Sequence, residues 1–214
     1  MELNEPNIRT GHPPHSRAEK KNSSSPFRIF LKVALFIIIF TFSFHFPDFT
    51  PGFNHRKETI QEILSVLERH RTGLASVTKE ELAEVIYEEA IRYNHDPKFI
   101  MAVIFAESEF WTWAVSEKGA KGLMQIMPYV AESIAKELGI EWRGDRTLFN
   151  PFLNIRMGVY YLTQLTLNFN DLRVGLAAYN YGPTYIKSLI ERKEGMPIDY
   201  SYYYRRIINA YKNL

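Results

Sequence analysis

The stretch ESEFWTWAVSEKGAKGLMQIMP, Glu107–Pro128, is the segment around which the rest of the chain can be interpreted. A carboxylate closes an apolar run, a loop of aromatic, serine and glycine residues follows, and a new helix begins near the end. Upstream, Asp96 and Pro97 predict a helix start, because aspartate caps free N–H groups and proline at the first position loses no hydrogen bond. Helical spacing then places four residues on one inward face: Ile100, Val103, Ile104 and Glu107.

Glu107 is therefore a candidate general acid. A carboxylate on an apolar face loses hydration, which disfavours its charged form and raises its pKa towards neutral pH. The alternative is that Glu107 ends the helix in solvent or pairs with a cation such as Arg143 or Arg146. The motifs around Glu107 favour an active site.

Three ordered blocks resemble the soluble lytic transglycosylase (SLT) domain, whose fold is similar to goose-type lysozyme. The first, within Glu107–Pro128, holds ES-x-F and A-x-S-x-x-GA-x-GLMQIMP. The second, Asn150–Leu162, reads NP-x-x-NI-x-x-G-x-x-YL, and the third, Ala177–Pro183, reads AAYN-x-GP. Three blocks in order are more specific than one short motif, and the resemblance covers residues 82–214.

The resemblance implies an enzyme that cleaves the β-1,4 bond between N-acetylmuramic acid (MurNAc) and N-acetylglucosamine (GlcNAc) in peptidoglycan. The product is a 1,6-anhydroMurNAc end, formed without net addition of water, with Glu107 as the single general acid and base. The other implied positions are Ser108 and Ser116, which would orient the carboxyl group or the glycan, Gln125 and Met127, which would line the cleft, and Tyr179 and Asn180, which would contact sugar. Helix capping remains an alternative role for Ser108 and Asn180, and core packing for Met127.

The count of carboxylates separates this function from its rivals. Ordinary glycosidases use two, whereas only Glu107 occupies the acid position here; Glu109 points to a different helical face and Glu117 falls in the loop. One acid is enough if the sugar's own 6-hydroxyl is the nucleophile. The alternatives are a goose-type lysozyme-like muramidase, which adds water, and a catalytically silent peptidoglycan-binding module. The intact Glu107, Ser108 and Gln125 argue against the silent module.

The sequence departs from the family pattern in two places. Trp111-Thr112 replaces an Asn-Pro-like pair in the loop after Phe110, so the loop can have a different shape. Asp199-Tyr200 stands where the family has Glu-Thr, so a contact from the last helix to the site can also differ.

The amino-terminal third predicts a membrane anchor. Residues 1–28 are polar and proline-rich, which indicates a disordered tail, and residues 29–46 form an apolar run long enough to span a bilayer. Five basic residues precede that run, so the tail is predicted to be cytoplasmic and the rest to lie in the periplasm or otherwise outside the inner membrane. A cleavable signal peptide is the rival, but no A-x-A-like site follows the run. Residues 47–76 would form a linker and a spacer or packed helix, and residues 77–214 the catalytic domain.

Helical periodicity and the lack of sustained two-residue alternation predict an all-α, lysozyme-like domain after the single transmembrane helix. Residues 47–214 carry 20 basic and 21 acidic residues, which disfavours a nucleic-acid partner and suits glycan strands of peptidoglycan. The chain has no cysteine, which excludes disulfides, thiolate metal sites and a lipid-modified cysteine. No metal-ligand spacing or phosphate-binding loop is present, so we predict no metal and no cofactor.

Overall fold

The computed structural model describes residues 51–75, 77–194 and 200–214, and within these ranges the chain forms nine helices and no strand. The helices are α1 (Pro51–Glu68), α2 (Lys79–Arg92), α3 (Pro97–Ser108), α4 (Pro128–Glu137), α5 (Asp145–Leu148), α6 (Pro151–Phe169), α7 (Leu172–Tyr181), α8 (Pro183–Glu191) and α9 (Tyr200–Asn213). The all-α prediction is confirmed for the described residues. The four-residue α5 was not predicted from the sequence.

Local capping residues set the helix starts. Thr78 and Glu81 form a capping box: the Glu81 backbone N–H donates to Thr78 Oγ1 at 3.1 Å, and the Thr78 N–H donates to Glu81 Oε2 at 2.8 Å. Asp96 accepts from the Lys98 N–H at 2.8 Å, with Pro97 in the first turn of α3. Prolines also begin α4, α6 and α8, where a missing N–H costs no hydrogen bond.

Helix α3 lies in the middle of the main core. Ile100, Val103 and Ile104 are fully buried, as their spacing predicted. The helices α1, α2 and α9 pack against α3. Helix α1 contributes Ile63 and Leu67, both fully buried, so this segment is a packed helix and the core begins upstream of residue 77.

Helix α6 carries the second layer of packing. It contacts α2 on one side and α7 on another, and α8 packs on α7. Gly158 of α6 lets this helix approach the loop that precedes α4, because a Cβ atom there would lie 2.4 Å from Met124 Sδ.

Several predictions concern segments outside the described residues: the tail 1–28, the apolar run 29–46 and the side chains of Asp199 and Tyr200. Within the described ranges, no helix combines the length and apolar character that a membrane crossing requires.

Candidate active site

Glu107 lies in the last turn of α3, at the edge of a cavity of about 350 Å³. The loop of residues 115–127 and the end of α7 form much of the cavity wall. Glu107 supplies the one carboxyl group among the described residues that line this cavity. Among the described lining residues, Glu107 is therefore the one side chain that could transfer a proton through a carboxyl group.

Burial dominates the electrostatics of Glu107. Loss of hydration raises its pKa to about 7, although the hydrogen bond from Tyr203 and the positive charge of Arg206 act in the opposite direction. The predicted upward shift is thus present. A carboxyl group with this pKa is populated in both protonation states near neutral pH, which suits a group that first donates and then accepts a proton.

Helix α9 supplies the partners of that carboxyl group. Tyr203, which is buried, donates a hydrogen bond from its hydroxyl to Glu107 Oε1 at 2.5 Å. Arg206, one turn later, donates to the carbonyl oxygen of Ala106. Burial, followed by the negative charge of Glu107, raises the pKa of Tyr203 well above its usual range, so its hydroxyl stays protonated and keeps donating. The proposed ion pairs of Glu107 with Arg143 or Arg146 are absent; Arg143 binds Glu141 instead.

A buried asparagine holds the active-site loop on α6. Asn154 accepts from the Met124 N–H at 2.7 Å and donates to the carbonyl oxygens of Lys121 and Leu148 at 3.0 and 2.9 Å. Gly122 permits this approach, because a Cβ atom there would lie 2.3 Å from Asn154 Nδ2. The loop is therefore fixed by one side chain that pairs three backbone groups.

Gln125 and Ser116 are held within the same loop, and both line the cavity. Gln125 has a left-handed backbone, with φ of 48°, and its Nε2 donates to the carbonyl oxygens of Ala114 and Gly122 at 3.1 and 2.9 Å. This leaves Gln125 Oε1 as an acceptor for a ligand. Ser116 Oγ accepts from the Ala120 N–H at 2.9 Å, so its own proton can be donated.

The remaining predicted site residues fall into two groups. Met127, Tyr179 and Asn180 line the cavity with Glu107. The Tyr179 hydroxyl donates to the Met124 carbonyl at 2.7 Å, which orients its ring at the cavity wall. Ser108 is not a lining residue: its hydroxyl lies 2.8 Å from the Leu123 carbonyl oxygen and bonds the end of α3 to the loop.

A tyrosine-lined groove continues from the cavity. A neighbouring cavity of about 880 Å³ shares Tyr129, Tyr161 and Tyr181 with it and extends to Tyr185. Tyr129 and Tyr185 are 70% and 45% exposed, so their rings are available to a ligand. The groove can therefore hold a ligand longer than the catalytic cavity.

Sequence reasoning did not identify Tyr203 and Arg206 as partners of Glu107. In the sequence, Tyr203 is the middle residue of the run Tyr202–Tyr204. The helical spacing of Tyr203, Ile207 and Ala210 could have indicated that Tyr203 points inward, because all three are buried on one face of α9. Among the described residues, no group of three or more histidine or acidic side chains is arranged to hold a metal ion.

Comparisons with known proteins identify the family of the chain. The family described as "Transglycosylase SLT domain" matches residues 84–201. The chain is 34% identical over 122 residues to membrane-bound lytic murein transglycosylase F of Desulfosudis oleivorans, which covers 54% of this chain and 25% of that protein. It is 35% identical over 99 residues to the soluble lytic murein transglycosylase of Salmonella typhimurium, which covers 45% of this chain and 15% of the relative.

A solved structure gives the same fold. The 70 kDa soluble lytic transglycosylase of Escherichia coli superposes with a TM-score of 0.53 at 22% identity, over 73% of this chain and 29% of that chain. The chain thus spans about a quarter or less of the length of the curated relatives named above. Since the family match extends over more than half of its residues, the chain belongs to the transglycosylase SLT domain family.

Proposed function

We propose that the protein is a peptidoglycan lytic transglycosylase that cleaves the β-1,4 bond between MurNAc and GlcNAc and leaves a 1,6-anhydroMurNAc end. The observation that carries this proposal is that Glu107, with a pKa raised to about 7 by burial, is the one carboxyl group among the described residues of the cavity wall. A hydrolase of the two-carboxylate kind needs a second one.

In the first step, protonated Glu107 gives its proton to the glycosidic oxygen, the bond to C1 of MurNAc breaks, and GlcNAc leaves with a free hydroxyl. In the second step, the Glu107 carboxylate takes the proton of the 6-hydroxyl of MurNAc while that oxygen bonds to C1. Glu107 ends protonated, and no water is consumed. The nucleophile belongs to the substrate, so its attack avoids the entropy cost of recruiting water.

The lining residues are proposed to hold the sugar rings around that bond. Gln125 offers its Oε1 acceptor and Ser116 a hydroxyl donor. Met127, Tyr179 and Asn180 would contact the sugars from other parts of the cavity wall. Ser108 would act indirectly, by bonding the loop to the end of α3.

The positions of the other acidic residues disfavour the lysozyme-like alternative. Glu109 caps the end of α3 and lines a different cavity, and Glu117 is exposed in the loop. Asp145 pairs with Lys121 at 2.6 Å, and Asp171 caps α7. None of the four lines the catalytic cavity, so none is placed to activate a water beside Glu107.

We also propose that residues 29–46 anchor the enzyme in the inner membrane, with the catalytic domain outside the cytoplasm. The apolar run and the basic residues before it support this proposal. Carbonate extraction of membranes should leave the protein in the pellet. A mature amino terminus found between Thr41 and Asn54 would contradict the anchor.

Replacement of Glu107 tests the proposed activity. Glu107→Gln keeps the side-chain size but removes the transferable proton, so clearing of purified sacculi should slow by at least about 10²-fold. Glu109→Gln, two residues on, is the matched control and should retain activity within about threefold. Clearing by Glu107→Gln at the wild-type rate would show that this carboxyl group is not the acid.

A further inference from the structure

A second cavity, of about 360 Å³, has no lining residue in common with the catalytic cavity. The segment between α3 and α4 borders both cavities: Ser116 and Ala120 line the catalytic cavity, whereas Trp113 lines the second one. The aromatic, charged and amide groups of the second cavity are those of Trp113, Phe149, Asp145, Arg146 and Asn150. We call this second cavity the Trp113 cavity.

Trp113 forms a rigid aromatic platform. Its side chain is 47% exposed, its ring lies 5.2 Å from that of Phe149, and the two planes are inclined by 37°. The indole Nε1–H donates to the Gly73 carbonyl at 2.7 Å, which fixes the ring orientation. A ring that is both exposed and fixed in orientation can bind a ligand without a further loss of side-chain conformational entropy.

The backbone at Gly73 lies directly against the rings of Trp111 and Trp113. Gly73 has a φ of +66°, and a Cβ atom there would lie 2.8 Å from Trp111 and 2.9 Å from Trp113. The Thr112 N–H donates to the Thr72 carbonyl at 3.0 Å. The two tryptophans thus pack against one short segment, but Trp113 lines the cavity and Trp111 does not.

Polar groups that can bind a ligand surround the platform. Asp145 Oδ1 is bound by Lys121, which leaves Oδ2 as an acceptor. Asn150 Oδ1 caps α6, and its amide NH₂ group has no partner within the described structure. The exposed Arg146 likewise has no ion pair among the described residues. An aromatic face beside amide and guanidinium donors and a carboxylate acceptor suits a pyranose, whose C–H face is apolar and whose edge carries hydroxyl groups.

We propose that the Trp113 cavity is a second carbohydrate-binding site, which holds an N-acetylated amino sugar of the glycan away from Glu107. The identity of the glycan rests on the proposed function. A second contact on the same polymer raises the effective concentration of glycan at the catalytic cavity.

An NMR titration can report on each cavity separately. The probe is triacetylchitotriose, added to the full chain with Glu107→Gln in detergent micelles. The Trp113 indole N–H signal, assigned by its loss in Trp113→Phe, reports on the second cavity, and the methyl signal of Met127 reports on the catalytic one.

A saturable shift of the indole signal is expected. A shift of the Met127 signal without the indole signal would overturn the second site and leave the proposed function standing. An indole response to free stem peptide, but not to the sugar, would also overturn it.

The binding of purified sacculi can be compared between two matched variants, both made in the Glu107→Gln background. Trp113→Ala should weaken binding about tenfold, the size expected when an aromatic side chain that contacts the ligand is removed. Trp111→Ala, which removes the other ring on Gly73, should weaken it by less than about twofold. Equal losses would show that the tryptophans only hold residues 71–75 in place. Product chemistry is measured on the wild type, so a lack of anhydro ends would count against the proposed function and not against this cavity.

Discussion

The Tyr203 hydroxyl donates a hydrogen bond of 2.5 Å to Glu107 Oε1, across 96 positions of sequence. This bond joins α9 to the end of α3, where the candidate acid lies. It stabilises the carboxylate form, whereas burial favours the protonated form, and burial is the larger effect. The pKa of about 7 is therefore a balance that single substitutions can shift in a known direction.

Tyr203→Phe should move the pH dependence of activity upwards. The lost hydrogen bond had lowered the pKa of Glu107, so in the variant Glu107 stays protonated to higher pH. The alkaline limb of kcat/KM, which falls as Glu107 loses its proton near pH 7 in the wild type, should shift to higher pH. Tyr202→Phe is the control, because Tyr202 is 60% exposed. An alkaline limb that stays in place or moves down would contradict the role of Tyr203.

Glu107→Gln should become more stable relative to the wild type as the pH rises. The pKa of Glu107 is about 7 in the folded protein, against an ordinary glutamate pKa of 4.5. Between these two pH values, folded Glu107 keeps a proton that the unfolded chain releases, so the stability of the wild type falls as the pH rises. Glutamine has no such proton. The free energy of unfolding of the variant, relative to wild type, should therefore rise by about 3 kcal/mol from acidic to alkaline pH. Urea unfolding below pH 4.5 and above pH 7 measures this difference. Glu109→Gln, which changes an exposed carboxylate, should show a much smaller change, and an equal change would contradict the burial argument.

Asn154→Ala should destabilise the domain and the site together. It leaves the Met124 N–H and the Leu148 carbonyl without a partner in the interior, while the Lys121 carbonyl keeps only its bond from the Ile126 N–H at 3.1 Å. The expected loss is about 3 kcal/mol or more, since each unpaired buried group is costly. Thermal unfolding measures it, with the exposed Asn168→Ala on the same helix as the control. Equal melting temperatures for the two variants would show that Asn154 does not hold the loop.

Local signals account for what the sequence predicted well. The predicted helix start at Asp96 depends on a side chain and a backbone N–H two positions away, so the pattern contains the whole interaction. The caps at Thr78 and Asn150 are local in the same way, because each accepts from a backbone N–H three positions away. The inward face of α3 follows from helical spacing in the same way.

Contacts between distant segments account for what it did not predict. The pairing of Tyr203 with Glu107 depends on how α9 packs on α3. The apolar stripe of α1 is consistent with a spacer or a packed helix, and only its burial decides between them. Ser108 follows Glu107 in the motif, yet its hydroxyl faces the Leu123 carbonyl because the loop folds back on α3.

The most direct test of the central claim is mass spectrometry of sacculi digested by the wild-type protein in H₂¹⁸O. If the 6-hydroxyl of MurNAc is the nucleophile, the products carry 1,6-anhydro ends, are one water lighter than hydrolytic products and contain no ¹⁸O at the cleaved position. Reducing MurNAc ends labelled with ¹⁸O as the main product would contradict a single-acid transglycosylase and indicate a hydrolase.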